Sequence, residues 1–299
     1  MQRRPAARWG FAACTLAALL LGAEPANAQP VGPWSPPAFS EVELPGERLD
    51  AEWALPPPEV DPLGLVLLQH GFSRRCAHLR PMAATLAEAG WATLCLNADM
   101  ARGNPLLAKA WAERLLLPTP AMSLPDGRAL PERWIVAGHS AGAAFALDLG
   151  VEIRTRSTGS VVGALLLDPV STGASFEQAL RSFGRPVSAV MAAPGPCNAS
   201  GNALAPLEAA QAAGADVRIL PIEGGTHVDA EGEATDFVAV WACRQGAPRP
   251  EVIGATRRAA VDALRAMILP PDTRPAGDQP ATRKGTAAAS SASGASSAM

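Results

Sequence analysis

Six short apolar runs recur through the middle of the chain, at 63–69, 91–96, 134–137, 161–167, 187–192 and 217–222. Each is almost continuously hydrophobic rather than alternating, the pattern of a strand covered on both faces within a parallel sheet. Helix-patterned stretches lie between them at about 77–89, 141–153 and 203–213, the last stopped by Gly214. Strand and helix in alternation predict a doubly wound, mostly parallel α/β sheet. Ahead of it, 41–44 and 49–53 read as an antiparallel hairpin turning at Pro45-Gly46, and 252–268 reads as a closing helix.

The two ends of the chain break this pattern. Arg3, Arg4 and Arg8 precede an apolar run at 11–21, and Ala26-Asn27-Ala28 supplies small residues after it. That is the layout of a secretory signal peptide cleaved after Ala28. The run is well short of the roughly 20 residues that span a bilayer, so a retained membrane anchor is the lesser alternative. Residues 29–37 form a Pro-rich lead-in, and 270–299 turn Pro-rich and then Ala/Ser/Gly-rich, with little to bury, which predicts a disordered tail. Between them, 38–269 is one domain's worth of sequence without internal repeats. Export implies a periplasmic or secreted protein.

Charge and cysteine content narrow the function. Residues 1–28 carry three Arg and one Glu, so their removal costs two positive charges and takes the net charge from −3 to −5. A mildly acidic chain without a basic, aromatic-laced patch is not a nucleic-acid binder. Nothing in the pattern asks for a second chain, so a monomer is expected. Cys76, Cys95, Cys197 and Cys243 remain after export, an even number in an oxidising compartment. Two disulfides are expected. Three pairings are possible, and Cys76 with Cys95 and Cys197 with Cys243 are favoured because each pair borders the same part of the expected fold. The four are too widely spaced for a paired-Cys zinc site, and no metal or other cofactor is called for.

The chemistry enters at 134–147. The strand Trp134-Ile135-Val136-Ala137 runs into Gly138-His139-Ser140-Ala141-Gly142 and then into an Ala-rich helix. This strand–turn–helix setting is that of a nucleophile elbow, in which glycines two residues either side keep the turn tight and leave the serine pointing outward. Ser140 then sits at a helix N-terminus, where amides and dipole favour negative charge. The strand at 63–69 ends in His70-Gly71-Phe72, a loop suited to supply one oxyanion donor. The N–H groups of Phe72 and Ala141 would hold the oxygen of a tetrahedral intermediate, although a plain strand-ending turn has the same appearance.

Four His compete for the role of general base. His70 and His139 belong to the motifs just named and His78 to the first expected helix. His227 follows the last strand through Glu223-Gly224-Gly225-Thr226 and comes after the serine, in the order this arrangement uses. The acid is harder to place. The loop after 187–192 reads Ala193-Pro194-Gly195-Pro196-Cys197-Asn198 and holds no carboxylate, whereas the preceding strand ends in Asp168-Pro169-Val170. A charge at the end of a buried strand needs a partner, and an imidazole supplies one, which favours Asp168. Asp99 also ends a strand and competes, while Asp229 reads as a helix N-cap.

With Ser140, His227 and Asp168 assigned, the chain resembles the α/β-hydrolases, and within them chlorophyllase and related bacterial esterases. The resemblance covers most of 63–242 and rests on His70-Gly71-Phe72, Gly138–Gly142 around Ser140, Leu167-Asp168-Pro169-Val170, Pro196-Cys197-Asn198 and Gly225-Thr226-His227. In that group the acid also lies in an Asp-Pro-Val segment directly after the strand that follows the nucleophile helix. The resemblance implies the α/β-hydrolase fold, a Ser-His-Asp triad and hydrolysis of a carboxylic ester through an acyl-enzyme. It transfers no substrate, and chlorophyll is not expected. A polyester or lipid depolymerase is the alternative within enzymes, since no lid insertion is evident between Val170 and Val187. A non-catalytic binding protein of the same shape is the alternative outside them, disfavoured because a binder has no use for a strained elbow.

Overall fold

Successive residues of a buried strand point to opposite faces of its sheet, and this chain fills both. Leu65 and Leu67 pack into one core and Val66 and Leu68 into the other; Val136 and Leu166 join the first, Ile135 and Leu165 the second. A computed structural model describes residues 36–117, 123–157 and 160–268. The expected signal peptide, residues 29–35 of the lead-in and the whole 270–299 tail lie outside the described residues.

The chain opens with the hairpin β1 (Ala38–Leu44) and β2 (Glu47–Ala54), turning at Gly46 with φ 89°. Then follow β3 (Leu65–Gln69), α1 (Arg80–Glu88), β4 (Ala92–Leu96), α2 (Pro105–Leu116), β5 (Trp134–His139) and α3 (Ala141–Arg156). The second half adds β6 (Val161–Leu167), α4 (Ala174–Phe183), β7 (Val187–Met191), α5 (Leu204–Ala212), β8 (Val217–Pro221), α6 (Phe237–Cys243) and α7 (Pro250–Ile268). The eight strands form one sheet in the order β1-β2-β4-β3-β5-β6-β7-β8, in which β2 pairs antiparallel with both β1 and β4 and every other pairing is parallel. Residues of α2, α3, α4 and α5 pack on one face, and those of α1 and α7 on the other. The expected doubly wound sheet with its leading hairpin is the architecture found.

Several boundaries differ from expectation. The expected helix at 77–89 is a 3₁₀ turn, Cys76–Leu79, followed by α1, because Pro81 sits in the first turn of α1 and has no N–H to continue an earlier helix. Three helices went unforeseen. In α2, Asn104 caps the Leu107 N–H and Pro105 follows at the first position, a start signal that an exposed Leu106 obscures. In α4, Phe176, Ala179, Leu180 and Phe183 recur at helical spacing and are buried, so the segment between Val170 and Val187 holds a packed crossover helix. In α6, the apolar residues face outward and give no inward stripe.

Both favoured disulfides are present. Cys76–Cys95 joins the 3₁₀ turn before α1 to β4, and Cys197–Cys243 joins the loop after β7 to the end of α6.

Asp148, half-buried on α3 one turn before Glu152, has its carboxyl pushed up to about 6, mainly by burial and then by the Glu152 charge. A carboxyl raised in the folded state binds protons more tightly there than in the unfolded chain. Its ionisation therefore removes stability as pH rises through about 6, and the penalty is absent below about 4. Asp148→Asn is expected to raise stability at pH 8 by about 1 kcal/mol, with the gain vanishing by pH 4. Thermal unfolding at the two pH values checks this; a loss at pH 8, or an equal gain at both, would contradict it.

Candidate active site

Parallel strands carry their loops to one edge, and the candidate residues gather at the C-terminal ends of β3, β5, β6, β7 and β8. β5 ends at His139, and Ser140 turns the chain into α3 with φ 57° and ψ −125°, a conformation costly for a side-chain-bearing residue. Neighbours lock it there. Ser140 N–H donates to the Leu167 carbonyl at 3.1 Å, and Val170 N–H donates to the Ser140 carbonyl at 3.2 Å. The glycines are steric requirements. A Cβ on Gly138 would lie 2.1 Å from the Gly142 carbonyl oxygen, and one on Gly142 would lie 2.3 Å from that of His70.

Asp168 ends β6 in a left-handed conformation, φ 39°, with its N–H on the Val190 carbonyl at 2.7 Å. Its buried carboxylate accepts from every side. His227 Nδ1 donates to Oδ2 at 2.6 Å, Ala192 N–H donates to Oδ1 at 2.9 Å, and Asn198 Nδ2 donates to Oδ2 at 3.1 Å. Asn198 itself is completely buried and fully used, its Oδ1 accepting from Gly195 and Gly201 N–H. The loop after β7 thus holds no acid; it holds the amide that fixes one.

His227 opens a 3₁₀ turn, His227–Ala230, after β8. With Nδ1–H given to Asp168, its Nε2 carries the free lone pair. Gln245 Oε1 accepts the His227 N–H at 3.0 Å, and the His227 carbonyl accepts from His139 Nε2 at 2.8 Å. The His139 ring lies tilted against that of His227, centroids 4.6 Å apart. Burial, then the adjacent His227, holds the pKa of His139 well below its usual value, so it stays neutral beside its neighbour. Burial lowers His70 as well, and its Nδ1–H donates to the Gly71 carbonyl at 2.9 Å.

Ser140 and His227 line one cavity of about 410 Å³, together with Phe72, Ala141, Val170 and Val238. Among the described hydrogen bonds, none joins the Ser140 hydroxyl to the His227 ring, and neither the Phe72 nor the Ala141 N–H has a protein acceptor. Gly71 passes so close that a Cβ there would lie 2.9 Å from Ser140 Cβ. A groove of about 510 Å³ elsewhere is lined by Pro186, Val187 and Asp216, at the opposite ends of β7 and β8, away from these residues.

Neither of the other two candidate carboxylates is hydrogen-bonded to the His227 ring among the described residues. Asp99 is exposed and accepts the Ala101 N–H at 2.9 Å. Asp229 is buried but turns back to accept the Thr226 N–H, so it stands third in the turn that Thr226 caps, a correction to its expected place as the cap. Sequence reasoning gave no role to Asn198, Gln245 or the Arg74–Glu231 pair. In that pair, the Arg74 guanidinium donates to both Glu231 oxygens, tying the loop after Phe72 to the segment after His227. No local signal in the Pro194-Gly195-Pro196 loop points to Asn198, whose partner Asp168 lies 30 residues away.

No family model matches the chain, and no curated protein matches its sequence. Solved structures do. They include a thermostable esterase from Pseudomonas putida, with a TM-score of 0.57 and 15% identity over 79% of this chain and 84% of that one. A dienelactone hydrolase from Anabaena variabilis matches at TM-score 0.54 and 19% identity, over 77% of this chain and 97% of that one. A dienelactone hydrolase-like promiscuous phosphotriesterase from metagenomic libraries matches at 0.56 and 14%, over 79% and 99%. The chain has the α/β-hydrolase fold.

Asp168→Asn replaces the carboxylate that receives His227 Nδ1–H by an amide that favours the other tautomer. It is expected to leave the fold intact and lower turnover on the order of 10⁴-fold, by analogy with the serine-protease triad. Asp99→Asn should cost little. Kinetics of the two variants, with circular dichroism to show both folded, check this; near-normal turnover in Asp168→Asn would place the acid elsewhere.

Proposed function

We propose that the protein is an exported serine hydrolase that cleaves a carboxylic ester, with Ser140 as nucleophile, His227 as general base and Asp168 as its orienting acid. The observation that carries this reading is the 2.6 Å hydrogen bond from His227 Nδ1 to Asp168, which leaves Nε2 as the ring nitrogen available to Ser140 in the cavity that both line.

In this reading Nε2 takes the Ser140 proton as Oγ attacks the ester carbonyl, and Asp168 stabilises the imidazolium that forms. The oxyanion is met by the N–H groups of Phe72 and Ala141, the second at the N-terminus of α3. The imidazolium then protonates the departing alcohol, leaving an acyl group on Ser140. Water, deprotonated by His227, releases the acid. Every proton moves between Ser140, His227, water and substrate, so the scheme is complete without a cofactor. The esterases and hydrolases among the structural neighbours support a hydrolase. Two disulfides, bonds that persist in an oxidising compartment, support export.

The test is a panel of p-nitrophenyl esters run on wild type and Ser140→Ala. Wild type should hydrolyse part of the panel, and the variant should retain under about one part in 10³ of that rate. A wild type inactive throughout, or a variant as active as wild type, would overturn the reading.

A further inference from the structure

The helix α6 carries its large apolar residues outward. Phe237 is 80% exposed, Val238 67% and Trp241 68%. Positions 237 and 238 stand four and three residues before 241 on the same helix, so both neighbour Trp241 on one face. Single exposed apolar residues are ordinary; three on a seven-residue helix are a patch.

This patch is continuous with the cavity beside Ser140. Val238 belongs to both, and the cavity wall includes Phe72, itself 59% exposed. The helix is fixed at both ends. Asp236 caps the Ala239 N–H at 2.8 Å and pairs with Arg74 at 2.8 Å, and Cys243 is bonded to Cys197, next to the Asn198 that holds Asp168. The ends carry opposite charges, Asp236 at one and Arg244 at the other, and the face between them carries none. Between those ends an ionic group finds no complement on the face.

Resting on the function proposed above, we infer that the outward face of α6 is the seat for the long aliphatic chain of an uncharged ester whose carbonyl lies at Ser140. The chain leaves the cavity past Val238 and lies along Phe237 and Trp241. Short esters end inside the cavity and never reach this face. Binding removes apolar surface from water on both partners, and the rigid helix needs no ordering to receive the chain.

The experiment compares kcat/KM for p-nitrophenyl laurate and p-nitrophenyl butyrate. In Phe237→Ser/Trp241→Ser the laurate-to-butyrate ratio should fall about tenfold or more. Leu106→Ser, an equally exposed apolar position on α2 outside the cavity lining, should keep the wild-type ratio. An unchanged ratio in the double variant would overturn the inference, as would an equal loss on both esters. So would a wild-type dimer that the double variant dissolves without changing the ratio, since the face would then be an interface between copies. A second readout is independent of turnover: methyl laurate should shift the tryptophan emission of Ser140→Ala and leave that of Ser140→Ala/Trp241→Ser unshifted. Should no ester be hydrolysed while this shift persists, the proposed function fails and the chain seat stands; should hydrolysis proceed without the shift, the reverse holds.

Discussion

A carboxylate placed at the end of a central strand, out of contact with water, must be met by donors or it will not stay there. Asp168 is met by three: the His227 ring, the Ala192 N–H and the Asn198 amide. Much of the edge of the sheet is organised around that requirement. β7 supplies the Ala192 donor, the loop after it supplies Asn198, and the segment after β8 supplies His227. Ser140 is drawn into the same set through the backbone, because its N–H and carbonyl bond to residues on either side of Asp168. Two residues in sparsely populated conformations, Ser140 and Asp168, are thereby stitched together, and strain of roughly 1–3 kcal/mol at each is held by the bonds around it.

The outer parts of the edge keep these groups in register. Gln245 bridges the His227 N–H and the Ala193 carbonyl, so the segment bearing the imidazole and the loop bearing Asn198 share one side chain. Cys197–Cys243 ties that loop to α6, and Arg74 ties α6, through Asp236, and Glu231 to the loop after β3. His139 sits behind His227, neutral and hydrogen-bonded to its carbonyl, and so fixes the backbone without adding a charge. Four loops from four strands are cross-linked in this way, and the cavity is what they enclose.

The sheet was legible in the sequence because strands buried on both faces are written as unbroken apolar runs bounded by turn residues. Ser140 and His227 could be picked out as candidates because glycines beside each announce tight turns. Asp168 was legible as an anomaly, a charge closing the run Leu165-Leu166-Leu167. α4 was written as plainly, in Phe176, Ala179, Leu180 and Phe183, and could have been read from that spacing. α6 could not, because its large side chains serve no core and follow no inward stripe. Nor could Asn198: its bond to Asp168 joins residues 30 apart, and only the folded loop brings them together.

In the proposed function Ser140 is made nucleophilic by His227, which Asp168 holds in place. A fluorophosphonate probe reacts with a serine only when a neighbouring base takes its proton, and peptide mapping locates the adduct. Labelling is expected at Ser140, lost in Ser140→Ala and slowed by several orders of magnitude in His227→Ala, with each variant folded. Labelling that persists in Ser140→Ala, or proceeds at the wild-type rate in His227→Ala, would contradict the account.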